Sequence, residues 1–413
     1  MANIDFAPEE SKEATGGVNL KVIGVGGAGS NAVNSMMESE ELLYADFIVA
    51  NTDAQALSMS PAPYKVQIGK KITKGLGAGS NPDMGRRAAE EDLDTLIDLL
   101  ADTDILFVTA GLGGGTGSGA LPIIAGAAKE LGILTIAIVT KPFRFEGKRR
   151  ATHAEEALKN LKGNVDTLIV VPNQRLLDIS DPKISMLNAF ALSNDILKQA
   201  IKGISDIITK AGHINVDFAD VRAIMRDTGM AIMGTGKASG NDRARQAALR
   251  AISSPLIENA SIKGAKGILI NITGNEDLEL QEINEAASMV YEMVSPDANI
   301  ILGSVIDKSM GNDLSVTVIA TGLEEVPQTV TAATTAPKII EVAVAPQPQP
   351  QPMITPMQRA PVMPMAAHEI RAAEQAYEES KVDLPADKQD FDLESLDTPT
   401  FMRKKAEGSE AKN

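Results

Sequence analysis

The sequence predicts an α/β protein built on a mostly parallel sheet, and three observations carry that prediction. Continuous apolar, β-branched runs recur through the first 170 residues, as strands buried on both faces do. Helical patterns lie between most of them, which is how parallel strands are connected. Glycine-rich turns follow the first and third strong runs, where a parallel sheet places its ligand loops.

The elements follow in order. Strand-like runs occur at Leu20–Gly26, Phe47–Asp53, Asp104–Gly111, Leu134–Thr140 and Leu168–Pro172. Helical stretches are predicted at Asn31–Glu38, Asp83–Ala101, Ser118–Leu131 and Arg150–Leu161. A long helix spans about Ser185–Ala211, with Ile196, Ala200, Ile204, Ile207 and Ile208 at three-to-four-residue spacing; Gly212 is its expected C-terminal stop. Beyond it, helices at Phe218–Arg226, Arg243–Ser253 and Leu278–Met293 alternate with MAIMGTG, ILINITG, NIILGSVI and SVTVIATG. The expected architecture is therefore a Rossmann-like parallel-sheet domain, a long central helix, a smaller α+β C-terminal domain and a disordered tail. The expected bounds are 1–18 for an N-terminal extension, 19–184 for the ligand domain, 185–212 for the central helix and 213–325 for the second domain.

Proline marks the next boundary. Eleven of the 21 prolines lie between Pro327 and Pro399, a stretch without glycine. Its APQPQPQPMITPMQRAPVMPM favours extended backbone and buries too little to fold alone. Residues 326–388 read as a flexible Pro/Gln-rich linker and 389–413 as a partner-binding peptide.

Composition removes whole classes of chemistry. With no cysteine, disulfides, thiolate nucleophiles and Cys-based metal sites are excluded. Three histidines, His153, His213 and His368, show no metal-ligand spacing, and no metal-ligating residue is predicted. No apolar run approaches a membrane span, and MANIDFAPEESKEATGG is unlike a signal peptide. A net charge of −16 argues against a nucleic-acid surface. A soluble cytoplasmic protein is expected.

Two loops carry the chemistry. GVGGAGSN places Gly24, Gly26 and Gly29 between a strand and a helix, where a helix N-terminus attracts an anion. That alone also fits a tight structural turn, or an NAD site with Asp53 as its ribose ligand. The second loop, AGLGGGTGSGA, holds Gly113, Gly114, Gly115, Gly117 and Gly119 around Thr116 and Ser118. Successive free N–H groups there make an anion nest, and both hydroxyls are candidates to bond phosphate. A dinucleotide fold has no use for this second loop; a nucleoside triphosphate does. There is no GxxxxGK[ST] and no NKxD. An NAD(P)-dependent oxidoreductase stays as one rival and a nucleotide-bound structural polymer that hydrolyses little as another.

GGGTGSG, with GVGGAGSNAV, NTDAQAL, TKPFRFEGKRR, VVPNQRLL, NVDFADV and LDTPTFMRK in this order, resembles the tubulin superfamily, and within it the bacterial cell-division GTPases. The resemblance runs from Leu20 to about Leu323 and resumes near the C-terminus. Ser118 stands where the division proteins more often carry Thr, and Ala28 and Ser30 replace a common Gly and Asn. The resemblance implies GTP and GDP as ligands, with Mg²⁺, or K⁺, assisting. It implies that Gly27, Ala28, Gly29, Ser30 and Asn31 line the phosphates and ribose side, and that Gly115, Thr116 and Gly117 cradle the terminal phosphates. Glu146 and Arg150 would meet the sugar and phosphate region. Asn173 and Asp195 would face the nucleoside, Asp195 reading guanine, with Phe190 packed on the base.

HINVDFADV holds Asn215, Asp217 and Asp220. On residues alone, Asp217 is a helix N-cap. The resemblance makes this loop the part that enters a neighbour's pocket, Asp217 and Asp220 positioning the attacking water and Asn215 supporting them. It further implies head-to-tail filaments, a scaffold for the bacterial division ring at midcell beneath the inner membrane, and capture of partners such as FtsA by residues 392–405. Lys70, Lys71 and Lys74 in GKKITKGLGAGSNP suggest a nucleotide-sensing loop. Met225, Met230 and Met233 read as core.

Overall fold

The computed structural model describes residues 17–39, 41–42, 44–179, 183–210, 212, 214, 216–257 and 262–323. The chain divides into two units, 1–330 and 331–413, and the described residues all lie in the first. The expected linker and C-terminal peptide, and Asn215 and His213, lie outside them.

Ten strands form one sheet: β1 (Leu20–Val25), β2 (Asp46–Asn51), β3 (Tyr64–Gln67), β4 (Ile105–Gly111), β5 (Leu134–Lys141), β6 (Thr167–Pro172), β7 (Gly229–Ser239), β8 (Gly267–Gly274), β9 (Asn299–Ile306) and β10 (Asp313–Thr321). Their order is β3-β2-β1-β4-β5-β6-β7-β10-β8-β9. Strands β1 to β7 are parallel to their neighbours, β10 is antiparallel to β7 and β8, and β9 is parallel to β8. Between β6 and β7 the pairing is short, from Thr167↔Gly229 to Ile169↔Ala231, yet it makes the sheet continuous. The order reverses between β1 and β4, a point where open parallel sheets hold ligands beyond their carboxyl ends.

The helices are α1 (Gly26–Glu38), α2 (Ala54–Met59), α3 (Lys70–Thr73), α4 (Pro82–Glu91), α5 (Leu93–Leu100), α6 (Thr116–Glu130), α7 (Lys148–Lys162), α8 (Asn173–Ile179), α9 (Met186–Thr209), α10 (Phe218–Met225), α11 (Arg243–Ile252) and α12 (Leu280–Tyr291). One apolar layer joins α1 and α9 to the sheet through Met36, Phe107, Ile201 and Ile204. The opposite face carries Leu96, Leu121, Ile124 and Leu161. A third core under α11 and α12 is built on Ala247, Ile270, Ala286 and Val316. Met225 and Met233 are buried and Met230 is partly buried, all in apolar packing.

Several expectations change in detail. The helix predicted over Asp83–Ala101 is broken at Asp92, whose carboxylate accepts from Gly69 N at 2.6 Å. Helices α1 and α6 begin earlier than predicted, because glycine hides helix starts from propensity. Edge strand β3 is short, with Tyr64 and Lys65 exposed, so it left no apolar run to read. Gly212 does not stop the central helix. Helix α9 ends at Thr209 with Lys210 extended, and Gly212 serves close approach: a Cβ there would lie 1.6 Å from Ser304 O.

In the third core Arg243, with 8% of its side chain exposed, donates to Glu282 at 2.7 and 3.0 Å and to Asp277 at 3.3 Å. Arg243 holds the Glu282 carboxyl below its ordinary pKa, against the opposing effect of burial. A carboxylate depressed in the fold stabilises above its unfolded pKa and loses that contribution as pH falls through the folded value. The unfolding free energy from urea titration should therefore fall between pH 7 and pH 3.5 by about 1 kcal/mol more in the wild type than in Glu282→Gln.

Candidate functional site

A cavity of about 450 Å³ opens over the carboxyl ends of β1, β2, β4, β5 and β6. Its floor is two strand-to-helix turns. At the first, β1 passes directly into α1 at Gly26; at the second, β4 leads through Gly113–Gly115 into α6. Neither helix has a side-chain cap or an acidic residue in its first turn. Two unneutralised N-termini therefore aim free N–H groups and positive dipole ends at one space, as an anion requires.

The turns are locked together. Gly26 has φ +72°, and a Cβ there would stand 2.9 Å from Gly117 N, so the two backbones meet without side chains. Ser118 Oγ accepts from Gly113 N at 2.8 Å, closing the second turn on itself. That hydroxyl accepts within its own loop and does not line the cavity. Thr116 Oγ1 pairs with Thr52 Oγ1 at 2.7 Å. Gly27 and Gly114 differ from the rest: both line the cavity, and a Cβ on either would meet no protein atom within 4 Å. Packing does not demand glycine there, whereas a ligand seated on the backbone does.

The walls follow. Glu146 accepts from Phe143 N at 2.8 Å and from Arg150, which fixes both side chains at the mouth. Asn173, buried at the start of α8, accepts from Ser193 Oγ at 2.8 Å. Phe190 stands edge-on to Phe143, ring centroids 5.3 Å apart, and Phe145 stacks on Phe143 at 5.1 Å. This aromatic wall leaves Phe190 37% exposed beside the opening.

Of the predicted residues, Gly27, Ala28, Gly115, Thr116, Gly117, Glu146, Arg150, Asn173 and Phe190 line this one cavity. Gly29, Ser30, Asn31 and Asp195 do not. Gly29 packs under β4, where a Cβ would lie 2.5 Å from Thr109 O, and the buried Ser30 Oγ has no protein partner. Helix α9 turns Phe190, Ser193, Asn194 and Leu197 inward; Asp195 lies beside that stripe, about half exposed. Sequence reading missed Asn51, Thr52, Ser193 and Asn194. The strand-end rule pointed to the first two and i, i+3, i+4 spacing from Phe190 to the others. Gly77 and Ser80 bring the lysine-bearing glycine loop to the rim. Asp53 stands two residues beyond the end of β2 rather than ending it; it lines the cavity, and its Oδ1 caps α2, accepting from Gln55 N and Ala56 N.

Asp217 and Asp220 are elsewhere. Asp217 caps α10, accepting from Asp220 N at 2.8 Å, and both residues are exposed. Helix α10 packs under the amino ends of the strands: Arg222 donates to Gly132 O, just ahead of β5, and Thr167 at the start of β6 donates to Met225 O. The cavity lies over the opposite ends, about 25 Å away along an eight-residue strand.

Comparison with known proteins agrees with this geometry. The Tubulin/FtsZ family GTPase-domain model matches residues 19–181, and the FtsZ family C-terminal-domain model matches 229–324. An empty FtsZ dimer from M. jannaschii is 42% identical over 74% of this chain and 88% of that chain, with a TM-score of 0.71. This chain belongs to the FtsZ family. A mutant FtsZ from the same organism superposes with TM-score 0.72, at 42% identity over 75% of this chain and 92% of its own. CetZ2 from Haloferax volcanii, a GTPγS-bound protofilament, shares the fold at 21% identity and TM-score 0.64, covering 75% and 94%. As a member of the FtsZ family the protein is a GTPase that binds GTP and GDP.

Proposed function

We propose that this protein is a self-assembling cytoskeletal GTPase whose active site is completed only between two copies. The observation that carries the reading is the separation of the cavity from Asp217 and Asp220 by the length of the sheet within one chain. Stacked head to tail, the aspartates of one copy enter the cavity of the next. Asp217 and Asp220 hold a water in line with the γ-phosphorus. Its oxygen bonds to phosphorus, the bond to the β–γ bridging oxygen breaks, and GDP and phosphate result. Asn215, outside the described residues, is assigned the support of this geometry. Such a heterologous contact does not close on itself and grows as an open filament. The M. jannaschii FtsZ dimer and the CetZ2 protofilament support self-association.

In the same reading the nucleotide is held by the two turns, with Gly29, Ser30 and Asn31 backing the first and Asp195 reaching guanine as the pocket closes on it. Among the described residues no cluster of three acidic or histidine side chains could hold a metal. Mg²⁺, or alternatively K⁺, would come to the site with the nucleotide held by the Gly115, Thr116 and Gly117 turn. When bound it neutralises charge on the terminal phosphates. The filament scaffolds the bacterial division ring at midcell and septum formation. The peptide 392–405 recruits partners such as FtsA beyond the linker, whose reach sets their effective concentration. No described helix is long and apolar enough to cross a membrane, so membrane attachment would be through those partners.

The test is phosphate release against protein concentration. Activity per molecule should rise steeply with concentration and fall towards zero on dilution; constant specific activity at high dilution overturns the reading.

A further inference from the structure

The two ends of α10 are held differently. Its first turn is open, with Asp217, Ala219 and Asp220 all exposed. Its last carbonyls, which have no partner within the helix, are met by hydroxyls from the sheet. Thr321 Oγ1 in β10 donates to Ile224 O at 2.8 Å, and Thr167 Oγ1 in β6 donates to Met225 O. Both threonines are fully buried, and their strands flank β7 on its two sides. Gly267 in β8 leaves the path open: a Cβ there would lie 2.6 Å from Thr321 Oγ1. The turn that follows is tied as well, since Asp166 accepts from Asp227 N at 3.3 Å and Lys129 bridges to Asp227 at 2.8 Å.

We propose that Thr321 and Thr167 are positioning residues for GTP hydrolysis, aiming α10 so that its far end delivers Asp217 and Asp220 to the neighbour's γ-phosphate. The inference rests on the reading of those aspartates given above. Buried Val221, Ile224 and Met225 hold the helix to the sheet, but apolar packing has no preferred direction; the hydroxyl bonds do. From Ile224 to Asp217 the helix is a lever of roughly 10 Å, so a tilt of about 5° moves the carboxylates by about 1 Å. A displacement of that size costs up to about 100-fold in a positioned reaction. Thr321 is thus remote from the nucleotide yet sets the geometry at it.

The test uses the full chain with Thr321→Val, Thr321→Ser and Asp217→Ala. Three quantities are measured: GTP affinity, the critical concentration for assembly, and phosphate release per polymerised subunit at saturating GTP. Valine keeps the shape and removes the proton donor; serine keeps the donor. Thr321→Val should lose roughly tenfold or more in release per polymerised subunit, with affinity and critical concentration unchanged, and Thr321→Ser should restore the rate. Wild-type turnover in Thr321→Val, or no rescue by serine, overturns the inference. If Asp217→Ala itself turns over normally, the underlying reading fails; if it is dead while Thr321→Val is normal, only the positioning role fails. Should Thr321→Val not accumulate as folded protein, Gly267→Ala displaces the same hydroxyl, and normal turnover in that variant is equally decisive against it.

Discussion

Asp217→Ala and Asp220→Ala should each bind GTP as the wild type does and lose about 100- to 10,000-fold of the hydrolysis, the range for removing a group that takes a proton from a nucleophile. Binding should survive because neither side chain lines the cavity of its own chain. The competing account is structural: Asp217 caps α10, and losing a cap costs about 1 kcal/mol. Asp217→Ser separates the two, since serine caps a helix but cannot carry the charge. A stable, assembling and inactive Asp217→Ser supports the catalytic role; an active one removes it. Mixing gives a second check. Asp217→Ala has an intact cavity, and Gly114→Val has intact aspartates behind a blocked cavity. Together they form one competent junction, so phosphate release should reappear in the mixture although each variant alone is silent. An active site contained within one chain gives no such recovery.

The second large effect separates ligand from fold within the glycine-rich turns. Gly114→Ala should leave the unfolding free energy of the nucleotide-free protein, from urea titration, within about 0.5 kcal/mol of wild type, because its Cβ meets no protein atom. GTP affinity should nevertheless fall about tenfold or more, as the new methyl occupies space at the phosphate cradle. Gly29→Ala should behave in the opposite way. Its Cβ would lie 2.5 Å from Thr109 O and 3.0 Å from the Gly24 carbonyl carbon, and relieving such a backbone clash costs about 3 kcal/mol. Alanine's better helix propensity returns only about 1 kcal/mol, so destabilisation wins. Equal loss of stability in both variants would mean that neither turn is shaped around a ligand.

Much of the fold was legible because its signals are local. Apolar, β-branched runs such as ILFVTAG carry a strand signal in their own composition, and a GxGxxG turn between strand and helix marks a place where backbone N–H groups can meet an anion. Signals that were weak locally were misread. Edge strand β3 had no apolar run, the break at Asp92 depends on a bond to Gly69 from a different part of the chain, and Gly212 was assigned a helix-ending role that Ser304 explains otherwise. The same limit applies to Ser118, whose hydroxyl looks free in GGGTGSG and is used inside the loop.

Residue types and their order along the chain determined the α/β class, the two glycine turns, the acidic loop and the absence of cysteine chemistry, because each depends on neighbours a few positions apart. Only the tertiary structure decided that Phe190, Asn173, Glu146 and Thr52 share one cavity, and that Asp217 and Asp220 stand at the other end of the sheet. Those relations are set by strand order and by hydrogen bonds spanning tens of residues, such as Thr321 to Ile224, and no periodicity in a linear pattern encodes a distance of that kind.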